Sequence, residues 1–303
     1  MISLIATVLN EGDNISHLLD SILAQTRLPD EIVIVDGGST DQTLDILQRY
    51  TQKLPLRILS APGFNISQGR NLAIATAEGD IIAVTDAGVR LQADWLEKLT
   101  QPLCDNPDVQ VVGGFFQADA HNVFEAAMGA TVLPLADEIR VETFLPSHRS
   151  VAFRRAIAEQ VGGYPAWLDY CEDLILDLKL KQAAPEFAFV PEAMVYFRPR
   201  GSLRAFFKQY YRYARGDGKA DLWRKRHAVR YATYLLAAPL IFLLGWRVAR
   251  ALWLLYLPGA VYYLYQPYRR LPTTLKHAPP TNPAGILYAV ACLRVVGRRR
   301  YGG

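Results

Sequence analysis

Four times in its first 173 residues the chain follows or closes an apolar run with acidic or amide groups: Asn10-Glu11, the segment from Asp36 through Gly37, Gly38, Ser39 and Thr40 to Asp41, Asp86-Ala87-Gly88, and Glu172-Asp173. Open α/β sheets bind ligands in the crevice at the carboxyl ends of their strands. Polar groups repeated at that position predict one sheet with one shared cleft.

The spacing between those groups supports the same architecture. Residues 2–9 read as a buried strand, and Asp13 or Asn14 can cap a helix striped by Ile15, Leu18, Leu19, Ile22 and Leu23. Pro29 ends that helix, residues 31–36 make a second strand, and Ser39 or Thr40 can cap a helix running to about Tyr50. A third strand (56–59), a helix (68–77) and a fourth strand (80–86) follow. Strand–helix alternation of this kind implies βαβ units and a largely parallel sheet. Beyond Trp95 the pattern loosens to a strand at 109–116, a helix at 122–132, a loop region at 134–150 and a short helix at 154–161. A longer helix at 172–183 turns Leu174, Ile175, Leu178 and Leu180 inward, and 187–190 and 194–197 read as edge strands.

Charge divides the chain more sharply than its net value of +4 suggests. Residues 1–197 carry 13 Lys and Arg against 27 Asp and Glu, whereas residues 198–303 carry 20 against 2. Two uncharged stretches, 16 residues at 231–246 and 15 at 251–265, are separated by Arg247 and Arg250, and a third apolar stretch at 284–296 precedes Arg298-Arg299-Arg300. Each is shorter than the roughly 20 residues of a comfortable bilayer span, so a tight helical hairpin with snorkelling Arg ends is the form a membrane segment would take. Arg224, Lys225, Arg226, Arg269, Arg270 and Lys276 flank the region, as expected beside an anionic cytoplasmic leaflet. Basic residues interleaved with long apolar runs argue for lipid and against nucleic acid, with a buried helical subdomain as the alternative to membrane association. The expected organisation is a catalytic domain over 1–215 and a basic, helical, membrane-associated region over 216–303. Cys104, Cys171 and Cys292 form no metal-ligand or disulfide pattern, and residues 1–9 read as a strand instead of a signal peptide, so a cytoplasmic catalytic domain is expected. The sequons at Asn14 and Asn65 are then chance matches.

The candidate chemistry follows from residue type. Asp36, closing a strand before a Gly-Gly turn, can accept from a base or ribose, or serve as a turn aspartate. Asp86 can hold Mg²⁺ or Mn²⁺, because one or two carboxylates plus phosphate oxygens and waters suffice. Glu172-Asp173 at a helix start can cap that helix or deprotonate an incoming hydroxyl. Gln209 and Arg212 share a helical face, from which Arg212 can offset charge on a departing diphosphate or remain a solvated basic residue.

Taken in order, Thr7-Val8-Leu9-Asn10-Glu11, Val35 through Asp41, Gly69-Arg70-Asn71, Asp86-Ala87-Gly88, Glu172-Asp173 and Gln209-x-x-Arg212-Tyr213 resemble the family 2 glycosyltransferases over about residues 1–215. The resemblance implies a GT-A fold, a Rossmann-type mostly parallel sheet flanked by helices. It also implies a nucleotide-diphospho-sugar donor, Mg²⁺ or Mn²⁺, and inversion at the anomeric carbon. Thr7, Asn10, Glu11 and Asp36 would line the nucleotide pocket, with Arg70 and Asn71 supporting the nucleotide and diphosphate. Asp86 would be the first acid of an Asp-x-Asp metal element, Asp173 the base, Glu172 its acceptor-side neighbour, and Gln209 and Arg212 part of a Gln-x-x-Arg-Trp element. Gly88 stands where the second metal-binding Asp is usual, and Tyr213 where Trp is usual. Membrane-bound members of the family act on lipid-linked or cell-surface glycan acceptors, which fits the basic, apolar rear. The competing reading is a catalytically silent, membrane-tethered module that binds a nucleotide sugar. A nucleotidyltransferase would want a Gly-rich basic phosphate loop where Asn10-Glu11-Gly12-Asp13 stands.

Overall fold

The computed structural model describes residues 1–275; the apolar stretch at 284–296, Lys276, Cys292 and the terminal Arg298-Arg299-Arg300 lie outside the described residues. Two compact units emerge. One joins Met1–Asp119 to Leu133–Pro199, and the other joins Ala120–Val132 to the described chain from Arg200 to Leu275.

The first unit is a mixed sheet with helices on both faces. Its elements are β1 (Ile2–Val8), α1 (Asn14–Leu23), β2 (Glu31–Asp36), α2 (Thr43–Tyr50), β3 (Leu56–Ser60), α3 (Ile66–Thr76), β4 (Ile81–Val84), β5 (Val89–Leu91), α4 (Trp95–Asp105) and β6 (Val111–Ala118). After α5 (Val123–Val132), which belongs to the second unit, come β7 (Val151–Arg154), α6 (Arg155–Gln160), α7 (Glu172–Ala183) and β8 (Ala188–Phe197). The order across the eight described strands is β3-β2-β1-β4-β7-β6-β8-β5. Pairings β3-β2, β2-β1, β1-β4 and β6-β8 are parallel, while β4-β7, β7-β6 and β8-β5 are antiparallel.

Alternation within each strand explains why both faces are covered. Ile2, Leu4, Ala6 and Val8 of β1 pack with Ile15, Leu18, Leu19, Ile22 and Trp95, whereas Ile5 joins Val33, Ile82, Val84, Phe153 and Leu176 on the other side. A strand buried on both faces reads as a continuous apolar run, which is why β1, β2 and β4 were visible in the sequence.

Several expectations need correction. Helix α2 begins at Thr43, not after Ser39 or Thr40, because Asp41 accepts from both the amide and the hydroxyl of Thr43 and holds the preceding loop open. At Asp13 the carboxylate accepts from the Gln42 side chain and caps nothing. The two expected edge strands are one interior strand, β8, whose ladder with β6 slips its register between Gly113 and Phe115 opposite a stretch containing Pro191. Proline has no N–H to give the ladder, so the pattern broke there in the sequence. Strands β5 and β7 and helix α4 were not foreseen. In α7 the fully buried positions are Glu172, Leu176, Asp177 and Leu180, with Leu174, Ile175 and Leu178 only half-buried.

The second unit contains α8 (Leu203–Lys219). Ser202 caps α8, and Phe206 packs with Ala127, Met128 and Ala130 of α5 and with Leu271. A continuous helical run from Arg224 to Arg247 follows, built of α9 (Arg224–Tyr231), a π-helical segment (Ala232–Ala237) and α10 (Ala238–Arg247). Pro239 lacks the N–H that would bond back one turn, which fits the wider winding just before it. This 24-residue run has mean hydropathy 1.5 in its apolar window and, by length and composition, is the one described helix able to cross a membrane. A 3₁₀ segment (Arg250–Leu255) folds back on it, with Trp253 donating to the Phe242 carbonyl at 3.2 Å and lying over Gly245. Helix α11 (Tyr256–Leu275) closes the described chain.

Candidate active site

The loops after β1 and β2 are tied together by their own polar groups. Asn10 takes a left-handed conformation (φ 53°), its amide donates to Ser39 Oγ at 2.9 Å, and its Oδ1 accepts from the Thr40 amide at 2.8 Å. Short polar side chains tolerate that backbone region. The Glu11 amide donates to Thr43 Oγ1 at 2.9 Å. Asp36 is fully buried and its carboxylate accepts from the amides of Gly38 and Ser39, the arrangement of a turn aspartate. At Gly38 (φ 102°) a side chain would press on Pro62 at 3.2 Å, so this turn requires glycine. Thr7 lies under α3, where a Cβ on Gly69 would come within 2.9 Å of its methyl group.

A buried guanidinium organises the neighbouring edge. Arg70, on α3, donates to Asp86 Oδ1 at 2.8 Å and to Glu172 Oε1 at 2.9 Å, and its guanidinium lies 5.2 Å from the centre of the Tyr164 ring. Arg149 reaches the other Asp86 oxygen at 3.4 Å and stacks 4.6 Å above Phe197. Burial opposes the charge on Arg70, but the carboxylates of Asp86, Glu172 and Asp173 outweigh it and raise its pKa. Its Nε is buried with no partner among the described residues. A buried charge is tolerated when paired and costs about 3–5 kcal/mol when one partner is removed. This cluster therefore fixes the end of β4 against the start of α7.

Helix α7 enters through Cys171, a buried residue at φ 67°. Glu172 and Asp173 occupy its first turn, where the helix dipole favours acids, and Asp173 is half-buried with Oδ1 accepting from the Leu174 amide. Asn71 engages both of its amide atoms with the backbone of Tyr164, at 2.8 Å each way, and so clamps the Gly162-Gly163 turn. Gly163 (φ 64°) leaves room for it, since a Cβ there would meet Asn71 Oδ1 at 2.6 Å.

Behind Arg70 runs a buried relay. His148 Nε2 lies 2.9 Å from Asp177 Oδ1, and Nδ1 lies 2.5 Å from the Tyr164 hydroxyl. An ionised Asp177 accepts only, so Nε2 carries the proton and, on a neutral ring, Nδ1 accepts from Tyr164. Burial pushes the Tyr164 hydroxyl well above its usual pKa, so it stays a donor.

The structure thus brings Arg70 and Asp86, 16 residues apart, together with Glu172, 102 residues beyond Arg70, and its neighbour Asp173. Asn10, Glu11 and Asp36 stand on adjoining loops of the same edge. Gln209 and Arg212 lie in the second unit on α8, where Gln209 Nε2 donates to the Tyr213 hydroxyl at 2.8 Å and Arg212 is half-exposed. Arg149, Tyr164, His148 and Asp177 were not anticipated. The missing signal was strand β7: it runs antiparallel to β4 with Val84 level with Val151, so the residues just before it sit beside Thr85 and Asp86. Had residues 151–154 been read as a strand, the preceding His148-Arg149 would have fallen at the same edge.

Among the described residues no three His, Cys, Asp or Glu side chains gather into a ready metal cage. Asp86, partly exposed at the end of β4, and the open space beside Gly88 fit a hard cation whose remaining ligands come from phosphate oxygens and water.

Comparison with known proteins places this geometry in a family. The family model described as Glycosyl transferase family 2 matches residues 3–161, and the chain belongs to that family of glycosyltransferases. It is 27% identical over 221 residues to the O-antigen chain rhamnosyltransferase RfbN of Salmonella typhimurium, covering 69% of this chain and 70% of that one. It is 28% identical over 272 residues to the succinoglycan biosynthesis protein ExoA of Rhizobium meliloti, covering 84% of this chain and 80% of the other. Among solved structures, the mannosyltransferase PcManGT from Pyrobaculum calidifontis in complex with GDP-Man and Mn²⁺ superposes with a TM-score of 0.64 at 21% identity, over 97% of this chain and 86% of that one. The 1–349 fragment of S. aureus TarS in complex with UDP gives 0.54 at 19% identity, over 97% and 90%. These likenesses establish the GT-A fold.

Proposed function

We propose that this glycosyltransferase moves a sugar, with inversion, from a nucleotide-diphospho-sugar to a hydroxyl of a growing bacterial surface polysaccharide carried on a lipid. The observation that carries the reading is the Arg70 bridge, which sets the acid at the end of β4 and the Glu172-Asp173 helix start at one sheet edge. Asp173 takes the proton of the acceptor hydroxyl, whose oxygen attacks the anomeric carbon as the bond to the diphosphate oxygen breaks and the nucleoside diphosphate departs. Glu172, held by Arg70, steadies the turn that presents Asp173 and borders the acceptor. Thr7, Asn10, Glu11 and Asp36 build the nucleotide side. Asn71 acts there through the Tyr164 loop.

Asp86 would hold Mg²⁺ or Mn²⁺ together with diphosphate oxygens. Such a cation offsets charge developing on the leaving group. Arg212 would offset the charge on the departing diphosphate. The exposed apolar run from Arg224 to Arg247, with Arg224, Lys225, Arg226 and Arg230 at its head, would anchor the enzyme in an anionic leaflet with its catalytic part on the cytoplasmic side. Relatives named for O-antigen chains and succinoglycan support the polysaccharide acceptor.

The test uses the full chain in detergent, offered UDP-, GDP- and dTDP-sugars with a lipid extract from a polysaccharide-producing bacterium. Transfer of labelled sugar from one donor into the lipid fraction, abolished in Asp173→Asn, is the expected result. Donor binding without transfer across the panel would instead support the silent module.

A further inference from the structure

Gly88 is where the site departs from its family's pattern, and its surroundings suggest how the gap is filled. Among the described residues, a Cβ built on Gly88 makes one ordinary van der Waals contact outside its chain neighbours, with Glu11 Oε2 at 3.9 Å. Glu11 arrives there for a topological reason. Strands β1 and β4 are parallel neighbours with Ile5 level with Val84, so the loops that follow them emerge side by side. The left-handed Asn10 turns the chain, and hydrogen bonds from the Glu11 amide to Thr43 Oγ1 and from the Asn14 amide to the Glu11 carbonyl hold the backbone that aims the side chain.

Asp86, two residues before Gly88, has one oxygen on Arg70 and the other facing Arg149. A cation approaching Asp86 therefore competes with two guanidiniums, which makes a second carboxylate more important, not less. We infer that Glu11 supplies the carboxylate that Gly88 lacks, and that Glu11 and Asp86 together receive the divalent cation that accompanies the donor diphosphate. The longer Glu side chain, starting from the neighbouring strand, reaches the place that a shorter Asp at position 88 would occupy. Two carboxylates completed by phosphate oxygens and waters are a sufficient set for Mg²⁺ or Mn²⁺. This inference rests on the nucleotide-sugar reading above.

Four full-length proteins in detergent separate the possibilities: wild type, Glu11→Gln, Gly88→Asp and the double variant. Mn²⁺ binding is followed by the electron paramagnetic resonance signal of the free ion, with UDP or GDP present, and nucleotide affinity is measured in parallel in EDTA. Glu11→Gln is expected to weaken Mn²⁺ binding in the ternary complex at least tenfold beyond any change it makes to nucleotide affinity measured in EDTA. Adding Gly88→Asp to Glu11→Gln is expected to restore Mn²⁺ binding, because a Cβ at position 88 crowds no described atom and the backbone there is not left-handed. Mn²⁺ bound equally well by Glu11→Gln, or no recovery in a folded double variant that still binds nucleotide, overturns the inference. Nucleotide binding by wild type without any gain from Mn²⁺ overturns it alone, leaving the transferase reading standing. A folded wild type that binds neither nucleotide overturns both.

Discussion

The sheet carries an arginine between two carboxylates at each of its edges, and the two clusters are built for different ends. At the amino edge Arg57 bonds Glu31 at 2.9 Å and Glu78 at 3.1 Å, while Glu31 also accepts from the Ser3 hydroxyl and the Glu78 amide. At the carboxyl edge Arg70 bonds Asp86 and Glu172. The Arg57 side chain is 46% exposed, the Arg70 side chain 3%. Exposed pairs contribute about 0–1 kcal/mol, whereas a buried charge is costly to hold and more costly to orphan. The left-handed residues Asn10, Gly38, Gly163 and Cys171 also all lie in loops at or leading into the second edge. Left-handed backbone and buried charge thus gather at the carboxyl edge. The amino edge closes its hydrogen bonds within the fold.

That contrast breaks first under mutations of the carboxyl edge. Asp173→Asn is expected to lower transfer by about 10²–10⁴-fold, the usual contribution of a general base, with nucleotide affinity unchanged. A near-normal turnover number would remove Asp173 from the chemistry. Arg70→Met leaves Asp86 and Glu172 without their shared counter-charge and is expected to cost about 3–5 kcal/mol in denaturant unfolding, with loss of nucleotide binding. A loss as small as that of an exposed pair would mean that the two edges do not differ in kind.

How much of this was legible in the sequence depends on the element. Strands β1, β2 and β4 and the motif residues after them were readable because doubly buried strands are continuous apolar runs and parallel strands put their ends on one side. The partners of Asp86 were not. Arg149 reaches it through antiparallel β7, a four-residue strand hidden behind a long loop region, and Tyr164 reaches Arg70 through a turn set by Asn71 and two glycines. His148 and Asp177 meet across 29 residues with no local periodicity to announce them. Asp36 was open to two readings in the sequence, and in the fold it is buried with its carboxylate accepting from the amides of Gly38 and Ser39.

A finer cut tests whether the relay behind Arg70 belongs to the functional edge. Tyr164→Phe keeps the ring beneath the guanidinium and deletes only the hydroxyl that His148 accepts. It is expected to cost about 1–3 kcal/mol of stability for the buried acceptor left unmet. If the relay positions Arg70, nucleotide affinity falls as well; a loss of stability with unchanged affinity would make the relay a brace of the fold only.

The smallest effects belong to the amino edge. Arg57→Met is expected to change unfolding free energy by less than about 1 kcal/mol and to leave nucleotide binding untouched. Its partner Glu31 has a sharper signature, in pH. Burial raises the Glu31 pKa, but the Glu78 amide, the Ser3 hydroxyl and Arg57 outweigh it, and the folded value lies below the ordinary carboxylate value. A depressed folded pKa contributes stability that is present above the unfolded pKa, about 4.3 for Glu, and disappears as pH falls through the folded one. Wild type should therefore lose stability on acidification more steeply than Glu31→Gln, which has no proton to take up at that position. The two unfolding curves should converge at low pH. Curves that stay parallel would show that Glu31 is held by its hydrogen bonds irrespective of charge, and the amino edge would then be a neutral polar brace in place of an ion-pair cluster.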